Sequence, residues 1–130
     1  MRVIDFMICD YVKVYYVDYP VKVVDITADC LYTTGTSNPV NEFDFFPVHI
    51  TSEILAVNGF RNFVADGEEA FLKEVGDMEL QLYKEGSPWR IRIQRGPEAN
   101  VSIKAHYVHE LQHALRLMGL CDMADNLKIK

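Results

Sequence analysis

Two runs of strict apolar–polar alternation constrain this chain more than any other feature: Met78-Glu-Leu-Gln-Leu-Tyr83 and Trp89-Arg-Ile-Arg-Ile-Gln94, separated by the turn-forming Glu85-Gly86-Ser87. A two-residue period puts Met78, Leu80, Leu82, Trp89, Ile91 and Ile93 on one face of a sheet. Glu79, Gln81, Tyr83, Arg90, Arg92 and Gln94 fall on the other. One face is buried and one is wet. Ala70–Val75 precedes this pair and Asn100–Lys104 follows it after a Gly96-Pro97 turn, so the second half reads as an antiparallel meander. The apolar face needs a cover, and a helix from about His106 to Met118 supplies it, with Arg116 in its last turn and Gly119 as its stop.

The first half is built of shorter pieces. Tyr11–Val17, Val21–Ile26 and Cys30–Thr34 read as strands, with Asp18-Tyr19-Pro20 as a turn and Thr36-Ser-Asn-Pro39 as a loop. Short strands joined by tight turns suit a small curled sheet of the SH3-like kind, because a βαβ unit needs a long crossover. Between the halves, Thr51 caps a short helix, Glu53 complements its N-terminal dipole and Gly59 stops it. Ile54, Leu55 and Phe60 must pin so short a helix. The expected class is α+β: a small SH3-like β-module over 1–48, a short linking helix, then over 49–130 an antiparallel sheet covered by a C-terminal helix, packed as one compact unit.

With 130 residues, 49% of them apolar, the chain can fill a core without help from disulfides or metals. Its net charge of −6 argues against duplex nucleic acid as a partner, since phosphate neutralisation needs excess cations. The acidic excess lies in residues 1–60, where Arg2, Lys13 and Lys22 face eight acids. Cys9, Cys30 and Cys121 are odd in number and without CxxC spacing, which suits small buried apolar residues in a reducing, cytoplasmic setting. No run of apolar residues reaches signal-peptide or membrane-span length, so no membrane partner is expected.

His109-Glu110-Leu111-Gln112-His113 matches HExxH, in which two imidazoles one helical turn apart hold Zn²⁺ and the adjacent glutamate polarises its water. The 3.6-residue period, however, gathers Tyr107, Leu111, Ala114, Leu115 and Met118 on one stripe and puts His106, His109, His113 and Arg116 on the opposite face. A catalytic zinc also needs a third protein ligand, and the 17 residues after His113 hold no histidine or glutamate. The residues therefore favour two solvated histidines at helical spacing over a zinc-dependent metallopeptidase, which stays as the alternative. His109 and His113 are the metal candidates if any exist. No cofactor is implied, and no phosphate loop, GxSxG elbow or Cys/His nucleophile pair is present.

Arg90 and Arg92 share the wet face of one strand, and Lys104 on the next extends a basic strip suited to an anion such as phosphate. Tyr11, Tyr15, Tyr16, Tyr19 and Tyr32 are suited to stacking on a base or peptide, but tyrosines of short barrel strands more often fill the core.

Three segments carry a resemblance: Asp5–Val12, Pro47-Val-His-Ile-Thr-Ser-Glu-Ile-Leu-Ala-Val-Asn-Gly-Phe60, and Tyr107-Val-His-Glu-Leu-Gln-His-Ala-Leu-Arg-Leu-Met-Gly119. In this order they resemble a family of small proteins of gut Bacteroidota and their phages and prophages. The family has no established activity, and its members often carry Gln and Asn in place of Glu110 and His113. The resemblance thus implies that HExxH is a product of a structural helix. It also implies a non-enzymatic phage or prophage accessory protein that binds a small anionic ligand or a host protein, as an anti-defence factor sequestering a nucleotide-like signal. A structural or assembly module is a further alternative, and a homo-oligomer is compatible with all of these.

Overall fold

The computed structural model describes residues 6–15, 17, 19–27, 30–35, 40–41, 44–65, 68–84, 88–97 and 99–129. It divides into two compact units, one of Met1–His49 with Tyr107–His109 and one of Ile50–His106 with Glu110–Lys130. The division falls after residue 49, and three residues ahead of and inside the C-terminal helix belong with the first unit.

In the first unit, β1 (Tyr11–Val14), β2 (Val21–Ile26), β3 (Cys30–Thr33), β4 (Val40–Asn41) and β5 (Phe45–Pro47) form an antiparallel sheet of order β4-β3-β2-β1-β5. Val12 and Val14, Val21 and Val23, Leu31, Val40 and Phe45 point inward with Phe6 and make the core. Phe6 meets Phe45 edge to face at 5.3 Å. A register shift between Val23 and Asp25 bulges β2, which raises its twist and bends the strand. Pro47 ends β5 at the sheet edge, where a strand needs no second set of N–H donors. A tight turn precedes β1. Cys9 is left-handed there (φ +72°), and buried Asp10 accepts the Met7 N–H at 2.7 Å through Oδ2.

Two sequence expectations fail in this unit. Cys9 and Cys30 are only half-buried, and Cys121 of the second unit is exposed, so the cysteines do not serve as buried apolar residues. Tyr15 (77% exposed), Tyr19 and Tyr32 do not fill the core either. Strands this short offer few inward positions, and valine, leucine and phenylalanine occupy them. Tyr16 and the Thr36–Pro39 loop lie outside the described residues, as does the Glu85–Ser87 turn.

The second unit opens with α1 (Ser52–Val57), whose cap is as expected: Thr51 Oγ1 accepts the Ile54 N–H at 3.2 Å. Gly59 takes φ +84°, a conformation that would strain a residue with a Cβ. The sheet is a consecutive meander, β6 (Arg61–Ala65), β7 (Glu68–Val75), β8 (Met78–Lys84), β9 (Trp89–Arg95) and β10 (Ala99–Ala105). β6 is a strand that the alternation pattern did not show. As an edge strand with its described side chains exposed, it has no buried face to write into the sequence. Phe71, Leu82 and Ile91 align in one buried row, and Leu80 and Ile93 in the next. Trp89 packs against Phe71 at 5.9 Å and donates Nε1–H to the Ile50 carbonyl at 3.2 Å.

Two helices complete the unit, α2 (Val108–Leu117) and α3 (Cys121–Asp125). Leu111, Ala114 and Leu115 are buried as the helical period requires, and Gly119 is the left-handed stop. Two other expectations are corrected. His109 is only 3% exposed, not solvated, and Met118 in the final turn is half-buried. The wheel assumes one core for the whole helix. The start of α2 instead belongs to the first unit and its remainder to the second. Among the described residues, no helix is long and apolar enough to cross a membrane.

Candidate functional site

Strand pairing in the second sheet assembles the basic strip anticipated from sequence. On the face opposite the apolar rows, one cross-strand row runs Phe63, Ala70, Tyr83, Arg90, Lys104, and the next runs Arg61, Leu72, Gln81, Arg92, Ser102. These positions include four bases and no acid. Directly opposed side chains on such a face have Cβ atoms about 4.5–5.5 Å apart. Lys104 is therefore an immediate neighbour of Arg90, and Arg92 lies one pleat along. Arg90 Nη1 reaches Ser102 Oγ at 3.5 Å. Arg92 and Lys104 are exposed and Arg90 is half-buried.

Acids border these two rows on both sides: Glu68 stands opposite Ala65 beyond the first, and the row after the second runs Glu74, Glu79, Gln94, Asn100. There Glu79 accepts from Gln81 Nε2 at 2.5 Å, and Glu74 stands 3.8 Å from Arg61 in a loose, exposed pair. Like charges directly opposite across strands destabilise a sheet by a few tenths of a kcal/mol to about 1 kcal/mol. The Lys104–Arg90 pair has this unfavourable arrangement, and an arriving anion would relieve it. Two guanidinium forks and an ammonium can grip phosphate or carboxylate oxygens, while the half-buried Tyr83 ring beside Arg90 offers a flat surface. The wet-face residues were evident from alternation. Which of them are neighbours depended on register, and no sequence signal gave that.

The HELQH segment has a different assignment for each residue. His109 is buried among aromatic rings of the first unit, 4.5 Å from Phe6 and stacked at 5.8 Å on Tyr107 with planes 9° apart. Glu110 Oε1 accepts the His106 N–H at 3.0 Å, so its carboxylate caps the positive end of α2. Leu111 is core. Gln112, fully buried, donates Nε2–H to the Ala124 carbonyl of α3 at 2.9 Å. His113 is half-buried, and Arg116 bonds Asp125 at 3.1 Å. Among the described residues, no group of three or more His, Cys, Asp or Glu side chains is placed to hold a metal ion.

Comparison with protein-family models, with curated proteins and with solved structures gives no significant match.

Proposed function

We propose that this chain is a non-enzymatic binding protein that holds a small phosphate-bearing ligand of nucleotide type on the outer face of its second sheet. The observation that carries this reading is the opposed Lys104–Arg90 pair with Arg92 beside it, on a stretch of sheet without acids in a chain of net charge −6. Phosphate oxygens take the two arginines and the lysine, and a base lies against Tyr83. The resemblance to a family of phage and prophage proteins supplies the context. The chain then acts in the host cytoplasm as an accessory, anti-defence factor that sequesters a nucleotide signal. The strand order β4-β3-β2-β1-β5, with β2 bent at a bulge, supports an SH3-like reading of the first unit.

The test is thermal denaturation with mono-, cyclic di- and cyclic oligonucleotides, since a ligand at about 100 times its Kd stabilises by roughly 2.7 kcal/mol. At least one nucleotide should raise Tm, and Arg92→Gln or Lys104→Gln, both at exposed positions, should abolish the shift without lowering the unliganded Tm. If no nucleotide stabilises the wild type at about 1 mM, binding weaker than the millimolar range removes the proposal.

A second reading, docking of a host protein, has its own observation. Tyr15 and Phe46 are exposed with rings 6.4 Å apart on the first sheet, and Tyr32 on β3 is exposed as well. A protein captured from host lysate should then be lost with Tyr15→Ala or Tyr32→Ala, and capture that survives both changes would remove it.

A further inference from the structure

The two edges of the second sheet differ in how they meet solvent. At β10 the outward row is Asn100, Ser102, Lys104, all exposed and polar, and a lysine on an edge discourages pairing with another chain. At β6 the row carries Phe63, and the opposite face carries Val64. They are 40% and 73% exposed, with no lysine or proline in the strand. Among the described residues β6 pairs with β7 alone, so one side of its backbone has no strand partner there.

We propose that β6 is a self-association edge: two copies of this chain pair β6 antiparallel about a twofold axis at Phe63, joining two five-stranded sheets into one of ten. The strand is self-complementary in that register. Phe63 faces its own copy, Asn62 faces the other copy's Val64, and Arg61 faces the other copy's Ala65. A pairing centred on Phe63 is also the one that matches all five residues. The charges agree with it. In its own sheet Ala65 pairs with Glu68, so the continued row reads Glu68, Ala65, then Arg61 and Leu72 of the second copy. Glu68 and the second Arg61 then lie on one face two strands apart, about 10 Å between Cβ atoms, within joint reach of two long side chains. Symmetry makes this contact twice. Arg61 is available for it, because its 3.8 Å pair with Glu74 is loose and its side chain is 72% exposed. Val64 gains cover from Asn62 of the other copy. A five-residue junction buries less than a standard interface of about 1,600 Å², so the dimer is weak, with Kd on the order of 10–100 µM.

Sedimentation or native mass spectrometry of the full chain at about 10–500 µM tests this, a range that spans the expected Kd. Wild type should pass from monomer to dimer. Arg61→Glu alone sets an introduced carboxylate against Glu68 of the other copy and should stay monomeric. Glu68→Arg alone sets an introduced guanidinium against Arg61 and should also stay monomeric. An equimolar mixture of the two variants restores opposite charges at one of the two symmetry-related contacts, with the second contact reversed in sign but again opposite, and should give a heterodimer. Val64→Lys, at an exposed position, should weaken the wild-type dimer by roughly tenfold or more and gives a check independent of the charge pair. A wild type that stays monomeric throughout, a charge variant that still dimerises alone, or a mixture that stays monomeric would each overturn the proposal.

Discussion

Both units hold a five-stranded antiparallel sheet, yet they are specified in different ways. The second sheet has strands of five to eight residues, each paired with its chain neighbours in a single register, so its rows of inward side chains are continuous. The first has strands of two to six residues, a bulge in β2, and a pairing that joins β1 to β5, its first strand to its last. Long alternating strands store their fold locally. Short strands depend on contacts made across the whole unit, whose loop-closure entropy must be met before they stabilise anything.

Equal deletions in the two cores would break this contrast most directly. Leu82→Ala removes a fully buried side chain from the middle row of the long sheet, where flanking strands on both sides resist collapse. It should cost about 3–5 kcal/mol in urea denaturation. Leu31→Ala is an identical deletion next to the two-residue strand β4, where the backbone relaxes more easily, and about 2–3 kcal/mol is expected. Equal losses would show that strand regularity does not govern how each core responds.

His109→Ala sharpens the contrast on α2. A buried ring between Phe6 and Tyr107 is lost, and a destabilisation of about 1–3 kcal/mol should follow, against about 0.5 kcal/mol for the half-buried His113. Equal small effects would return His109 to the solvated role expected from the helical wheel. Thr51→Ala removes the side-chain acceptor at the start of α1 and should cost about 0.5–2 kcal/mol by the same measurement. The smallest effect concerns metal. With Glu110 engaged at the helix cap, His109 packed among rings and no group of three or more His, Cys, Asp or Glu placed to hold a metal among the described residues, zinc or chelator should each shift Tm by less than about 1 °C. A chelator-induced fall of several degrees would reinstate the zinc reading.

Much of the second sheet could be read from alternation at Met78–Tyr83 and Trp89–Gln94, because burial on one face alone imposes a period of two. Edge strand β6 escaped that test, since with neither face buried no period was imposed on it. For the basic face of the second sheet, the wet residues Arg90, Arg92 and Lys104 were identifiable from sequence. Their company of Tyr83, Gln81, Ser102 and Arg61 was not, because neighbours on a sheet depend on register between strands.

The sequence by itself determined the α+β class, the meander, the caps at Thr51, Gly59 and Gly119, and the apolar stripe of Leu111 and Leu115. All of these follow from interactions within a few residues of chain, where period and backbone preference are local quantities. Only the tertiary structure decided that His109 is buried, that Glu110 caps a helix, that Tyr15 and Tyr32 face solvent, and that Lys104 stands opposite Arg90. Each of those depends on which distant segment occupies the neighbouring space, and a helical or strand period carries no information about that.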